Sequence, residues 1–138
     1  MNGRDFLDTN VLVYALDVAD PRKHQIARPL VAKAVAGEFA ISSQVLAELA
    51  AILLQKFQSK INLKAVLALL DSLKPIPLIK ADADTVRRAV EARAEYGLHF
   101  YDGMIIAAAE RAGSERIFSE DLNAGQKYFG IDVVNPFG

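Results

Sequence analysis

No cysteine occurs among the 138 residues. That removes disulfides, thiolate nucleophiles and cysteine-ligated zinc together, and it fits a reducing, cytoplasmic setting. Long apolar runs are missing too. The longest stretch without a charge, Phe39 to Ala47, is broken by Ser42, Ser43 and Gln44, well short of the ~18 apolar residues of a membrane span. The opening Met1 to Phe6 carries Arg4 and Asp5 and does not read as a signal peptide. There is no glycine-rich phosphate loop and no nucleophile elbow. His24 and His99, the only two histidines, lie far apart without metal-ligand spacing and read as surface or packing residues. An excess of basic charge is also lacking. The count is 16 Lys and Arg against 17 Asp and Glu, net -1, with a pI near 6.1. As a sum, that speaks against a general nucleic-acid binder.

What is present suffices for a core: 52% hydrophobic residues in 15.0 kDa exclude disorder and fit a single domain over residues 1–138. Phe6-Leu7 reads as a buried strand, followed by a helix that starts at the polar Asp8-Thr9-Asn10. Asp20-Pro21 opens a second helix that stops at Gly37. Phe39-Ala40-Ile41 is a second strand. Ser42 or Ser43 then caps a helix with Val45, Leu49, Ile52 and Leu53 on one face. Asn62 is expected to cap the next helix. Pro75 to Ile79 reads as a third strand whose prolines put it at an edge or in a short ladder. Asp82 caps a long helix ending near Gly97, and Tyr101-Asp102-Gly103 opens another that ends at Gly113. Arg116 to Phe118 and Ile131 to Val134 are the last strands. Short strands alternating with helices predict a three-layer α/β/α domain with a mostly parallel sheet of about five strands. Ligands of such sheets sit beyond the carboxyl ends of the strands, where the strand order reverses.

Four acids fall near such places. Asp8 follows the first strand and suits a helix N-cap, or a ligand if Thr9 or Asn10 caps instead. Glu48 lies inside the third helix at the margin of its apolar stripe. It reads as a solvated face residue, yet it is the only acid between Phe39 and Leu70. Asp102 precedes Ile105, Ile106 and Ala109 on one helical stripe, where an ionised carboxylate is costly unless capped, paired or metal-bound. Asp121 follows the fourth strand within Ser119-Glu120-Asp121, a polar turn. If the first and fourth strands are adjacent, Asp8 and Asp121 become neighbours. Carboxylates at close range repel unless they share a cation. Acids without a histidine or thiolate partner suit a hard ion such as Mg²⁺ or Mn²⁺.

The blocks Phe6-Leu7-Asp8-Thr9-Asn10-Val11-Leu12-Val13-Tyr14, Ser43 to Glu48, Phe100 to Ala109 and Phe118 to Gly125, with Val133 to Phe137, together resemble a PIN-domain ribonuclease. More narrowly, the chain resembles a VapC-type toxin of a toxin–antitoxin pair. The resemblance covers nearly the whole chain, in order. It implies that Asp8, Glu48, Asp102 and Asp121 form a catalytic metal site for Mg²⁺ or Mn²⁺, with Thr9, Asn10 and Ser119 in support. It also implies RNA hydrolysis to 5′-phosphate and 3′-hydroxyl ends, a homodimer and a cognate antitoxin. Two positions depart from the family: Gly103 stands where Ala is usual, and Tyr101 where many members carry Trp. Gly103 weakens helix propensity there, so the site's rigidity is what it touches.

For contact with RNA, Lys56, Lys60 and Lys64 recur every four residues without an acid from Leu49 to Leu70. They read as a solvated face or as a phosphate-contacting rim. The run Leu49 to Leu54, apolar on more than one helical face, reads as a buried helix or as an interface. A phosphoacceptor receiver domain and a haloacid-type phosphatase do not fit. The first needs an acid after the middle strand with a later lysine, the second Asp-x-Asp-x-Thr where this chain has Asp8-Thr9-Asn10. An inactive RNA- or partner-binding module is the alternative function.

Overall fold

A computed structural model describes residues 3–56 and 60–138, without the side chains of Lys60 and Ile61. Three central strands, β1 (Asp5–Leu7), β2 (Phe39–Ser42) and β4 (Arg116–Phe118), are short and largely buried, as strands covered on both faces must be. With β3 (Leu78–Ile79), β5 (Lys127–Tyr128) and β6 (Ile131–Val134) they form one sheet in the order β3-β2-β1-β4-β6-β5. All pairings are parallel except β5 with β6. The order reverses between β1 and β4, in register Phe6 opposite Ile117 and Leu7 opposite Phe118. Asp8 and Ser119 therefore leave the sheet side by side at the switch point. Phe6, Leu7, Ile41 and Ile117 are wholly inaccessible and centre the core.

Helices α1 (Thr9–Leu16), α2 (Pro21–Val35), α3 (Ser43–Lys56), α4 (Lys60–Ser72), α5 (Ala83–Tyr96) and α6 (Phe100–Arg111) complete the α/β/α arrangement. Several start where the polar residues predict. The Asp20 side chain accepts from Lys23 N–H ahead of Pro21, and Asp82 forms a capping box with Thr85. Of the two serines, Ser42 is the one that caps, accepting from Val45 N–H at 3.2 Å.

Three expectations need correction. Asn62 does not cap α4, which already starts at Lys60. His99, expected to be a surface or packing residue, caps α6: its Nδ1 accepts from Tyr101 N–H. The sheet has six strands where about five are expected. The sixth, β5, is two residues long and too short to show alternation. A turn at Phe129 (φ 50°) and Gly130 (φ 81°) folds it back onto β6, both centres having the positive φ of a tight hairpin. The prolines before β3 act as foreseen, since β3 is an edge strand of two residues.

Gly103 has a reason that sequence alone does not show. A Cβ there would stand 2.7 Å from the carbonyl oxygen of Ala89, so its lack of a side chain lets α6 lie close against α5. In the run Leu49 to Leu54, Leu49 and Leu53 enter the core, whereas Leu54 is exposed, as are Leu63 and Leu67 on α4.

Candidate functional site

Asp8, 6% exposed, is the N-cap of α1 and is itself the capping residue, not Thr9 or Asn10. One carboxylate oxygen accepts from Thr9 N–H and the other from the Ser119 hydroxyl, both at 2.7 Å. Ser119 is fully buried, and its Oγ accepts in turn from the N–H groups of Asp121 and Leu122 at 3.1 and 3.3 Å. One hydroxyl thus fixes the turn after β4 against the carboxylate after β1. Asn10 spans the same gap: its amide nitrogen donates to Asp121 Oδ2 at 3.1 Å and its oxygen accepts from Glu120 N–H at 3.2 Å. Thr9 donates its hydroxyl to Glu48 Oε1 at 3.4 Å. The Asp8-Thr9-Asn10 triplet therefore reaches both Asp121 and Glu48.

Burial pushes the Asp8 carboxyl up to about 6. The bonds from Ser119 and Thr9 oppose the shift, and the charges of Asp121 and Glu48 add to it. Asp102, half-buried in the first turn of α6, is also raised, chiefly by burial; His99 pulls it down and Asp121 pushes it up. These couplings tie all four acids to one end of the sheet. As placed, however, no three Asp, Glu or His side chains among the described residues stand close enough to share an ion. The donor set still has the chemistry of a hard-cation site: oxygen ligands only, mutually repelling, one of them buried.

A cleft of about 490 Å³ opens beside this cluster, lined among others by Asn10, Tyr14, Glu48, Lys56, Glu120 and Asp121. Asp8 and Asp102 do not line it. Lys56 sits at its wall but is ion-paired with Asp17. It closes α3, whereas Lys60 and Lys64 belong to α4, so the three lysines do not share one helical face. Lys64 is exposed; the Lys60 side chain lies outside the described residues.

Two further sets of contacts shape the site. Tyr14 donates its hydroxyl to Glu120 Oε1 at 2.7 Å, and Lys23 pairs with the same carboxylate. Despite some burial, those bonds hold Glu120 below the usual range. Nothing in the local sequence signals contacts across so much chain. Gln44 donates to Glu48 Oε1 at 3.0 Å and to the Tyr101 carbonyl at 3.1 Å. The first of these was visible as a pair four residues apart on one helix. Tyr101 itself is exposed and its ring stacks on His99.

Comparison with solved structures finds this fold repeatedly. A toxin–antitoxin complex from Klebsiella pneumoniae superposes with a TM-score of 0.66 at 23% identity, covering 96% of this chain and 98% of that one. VapC20 of Mycobacterium tuberculosis, described as a sarcin-ricin loop cleaving toxin, gives 0.66 at 22%, covering 85% and 91%. VapBC2 of Rickettsia felis, bound to a DNA fragment from its promoter, gives 0.67 at 22%, covering 95% and 97%. At these identities the likeness establishes the fold. No curated protein matches the chain. The PIN domain family model matches residues 6–129, from β1 through the turn after β5 and including all four acids, and the chain belongs to the PIN domain family.

Proposed function

We propose that this protein is a divalent-metal-dependent endoribonuclease that acts in the cytoplasm as the toxin of a toxin–antitoxin pair. The observation that carries the reading is that acids from four separate blocks of the chain interact pairwise by charge near the switch point of the sheet, Asp8 with Glu48 and Asp121, and Asp102 with Asp121. Burial raises the Asp8 carboxyl to about 6, and the charges of Asp121 and Glu48 add to the shift, a cost that a cation would remove.

In this reading Asp8 and Asp102 hold Mg²⁺ or Mn²⁺ directly, while Glu48 and Asp121 hold it through water or orient the attacking water. When bound, the ion supplies a more acidic water and offsets charge on the scissile phosphate. Ser119 keeps Asp8 aimed by occupying one of its oxygens, and Asn10 does the same for Asp121. Thr9 steadies Glu48. Water adds to phosphorus and the P–O3′ bond breaks, the departing oxygen taking a proton, which leaves 5′-phosphate and 3′-hydroxyl ends. Lys56, Lys60 and Lys64 are proposed to meet backbone phosphates. For Lys56 that requires release from Asp17. Looped or single-stranded RNA fits best, because its bases can be splayed out. A homodimer and an antitoxin that covers the acid cluster complete the proposal.

The fold supports the toxin assignment through relatives described as toxins or toxin–antitoxin complexes. One observation favours the alternative of an inactive RNA- or partner-binding module: no three acidic or histidine side chains among the described residues share an ion position. Growth on induced expression separates the two. The nuclease reading predicts arrest that Asp102→Asn abolishes and a co-expressed antitoxin relieves. Arrest that persists in Asp102→Asn, or no arrest at all, favours the module.

A further inference from the structure

Gln44 occupies the first turn of α3, one helical turn before Glu48. Both hydrogens of its amide nitrogen are committed, one to Glu48 Oε1 at 3.0 Å and one to the backbone carbonyl of Tyr101 at 3.1 Å. Both partners are acceptors, so the amide orientation is determined: the flipped form would set a carbonyl oxygen against two oxygens. The remaining amide oxygen, Oε1, is buried and has no hydrogen-bond partner among the described residues. A buried orphan acceptor lowers stability, and native structures keep few of them. Here it accompanies a tie between two helices that each carry an acid of the cluster. Glu48 is on α3, and Tyr101 directly precedes Asp102 in the first turn of α6.

From this geometry we infer that Gln44 is a positioning residue, which sets the Glu48 carboxylate relative to Asp102 for binding of a divalent cation. The inference rests on the metal-dependent reading given above. A glutamine suits the position for two reasons. Its two donors can hold a carboxylate and a carbonyl at once, and it adds no charge to a site already crowded with negative charge. Thr9 supplies the second hold on Glu48, at 3.4 Å, so the carboxylate is fixed from α1 and α3 together. The cost of the orphaned oxygen falls on folding, and the benefit falls on the site. That split separates this role from simple helix–helix adhesion.

Calorimetric titration of purified protein with Mn²⁺, combined with thermal unfolding of the metal-free protein, tests it. Gln44→Met and Gln44→Leu keep approximate bulk while deleting both donors and the orphan acceptor. The inference predicts Mn²⁺ affinity about ten- to a hundredfold weaker in both variants, the range for loss of a group that orients a ligand. It also predicts a melting temperature equal to or above wild type. Affinity within about twofold of wild type would overturn it, and so would a loss of affinity accompanied by a lower melting temperature in both variants, which would mark Gln44 as a structural tie. Wild-type protein that binds no Mn²⁺ would remove the metal-dependent reading itself, and this inference with it.

Discussion

At the scale of single residues, Asp8 makes the sharpest prediction because its burial and its charge conflict. In the folded, metal-free chain it keeps its proton up to about pH 6, whereas an ordinary Asp carboxyl loses it near 3.8. Between those values the native state binds more protons than the unfolded state, so stability falls as pH rises from about 4 to about 6. The linkage amounts to at most about 3 kcal/mol. Urea unfolding across that window should show the fall in wild type and a flatter profile in Asp8→Asn; parallel profiles would contradict it. Saturating Mn²⁺ should reverse the fall, because the ion favours the ionised carboxylate. Ser119→Ala should cost about 1–3 kcal/mol, since it strips a bond from Asp8 and leaves the N–H groups of Asp121 and Leu122, the latter buried, without their acceptor. Denaturant midpoints at constant slope would measure it.

Among the elements, the junction of α5 and α6 carries the most exacting contact. Gly103→Ala would gain about 1 kcal/mol of helix propensity but place a methyl group 2.7 Å from the Ala89 carbonyl oxygen. Overpacking costs about 1–3 kcal/mol, and backbone on the far side gives little room, so net destabilisation is expected; a variant more stable than wild type would show that the helices can separate freely. In the sequence this glycine marks only a weak point of the helix, because a close approach between helices leaves no local mark. Caps were legible at Asp20 and Asp82, where a short polar side chain precedes the apolar pattern. Asn62 misled for the same reason, resembling a cap while lying within α4. The two-residue β5 left no periodicity to find, although the Phe129-Gly130 turn was there to be read. The i, i+4 relation of Gln44 and Glu48 was equally open to reading, unlike the Tyr14–Glu120–Lys23 cluster, which only the folded chain assembles.

For the molecule as a whole, strand order decides what the scattered acids mean. Adjacency of β1 and β4 was a condition in the sequence and is a fact in the sheet; it brings Asp8 within reach of Ser119 and into electrostatic contact with Asp121. Net charge changes its meaning accordingly. With the four acids committed to a cation, the rest of the chain stands at +3 against a total of -1, so near-neutrality no longer argues against an RNA substrate. Exposed Leu54, Leu63 and Leu67 leave apolar surface on α3 and α4 that the proposed homodimer would cover. Light scattering at micromolar concentration should therefore return about twice the 15.0 kDa chain mass, and a monomeric mass would exclude the homodimer. The central claim is metal-dependent cutting of RNA. Its most direct test incubates the purified protein and its Asp102→Asn variant with total RNA, in Mn²⁺ or in chelator, and maps the ends produced. The account predicts new 5′-phosphate ends with wild type in Mn²⁺ and a loss of about a hundredfold or more in the variant or with chelator. RNA left intact by wild type in Mn²⁺, or cut equally well by Asp102→Asn, would contradict it.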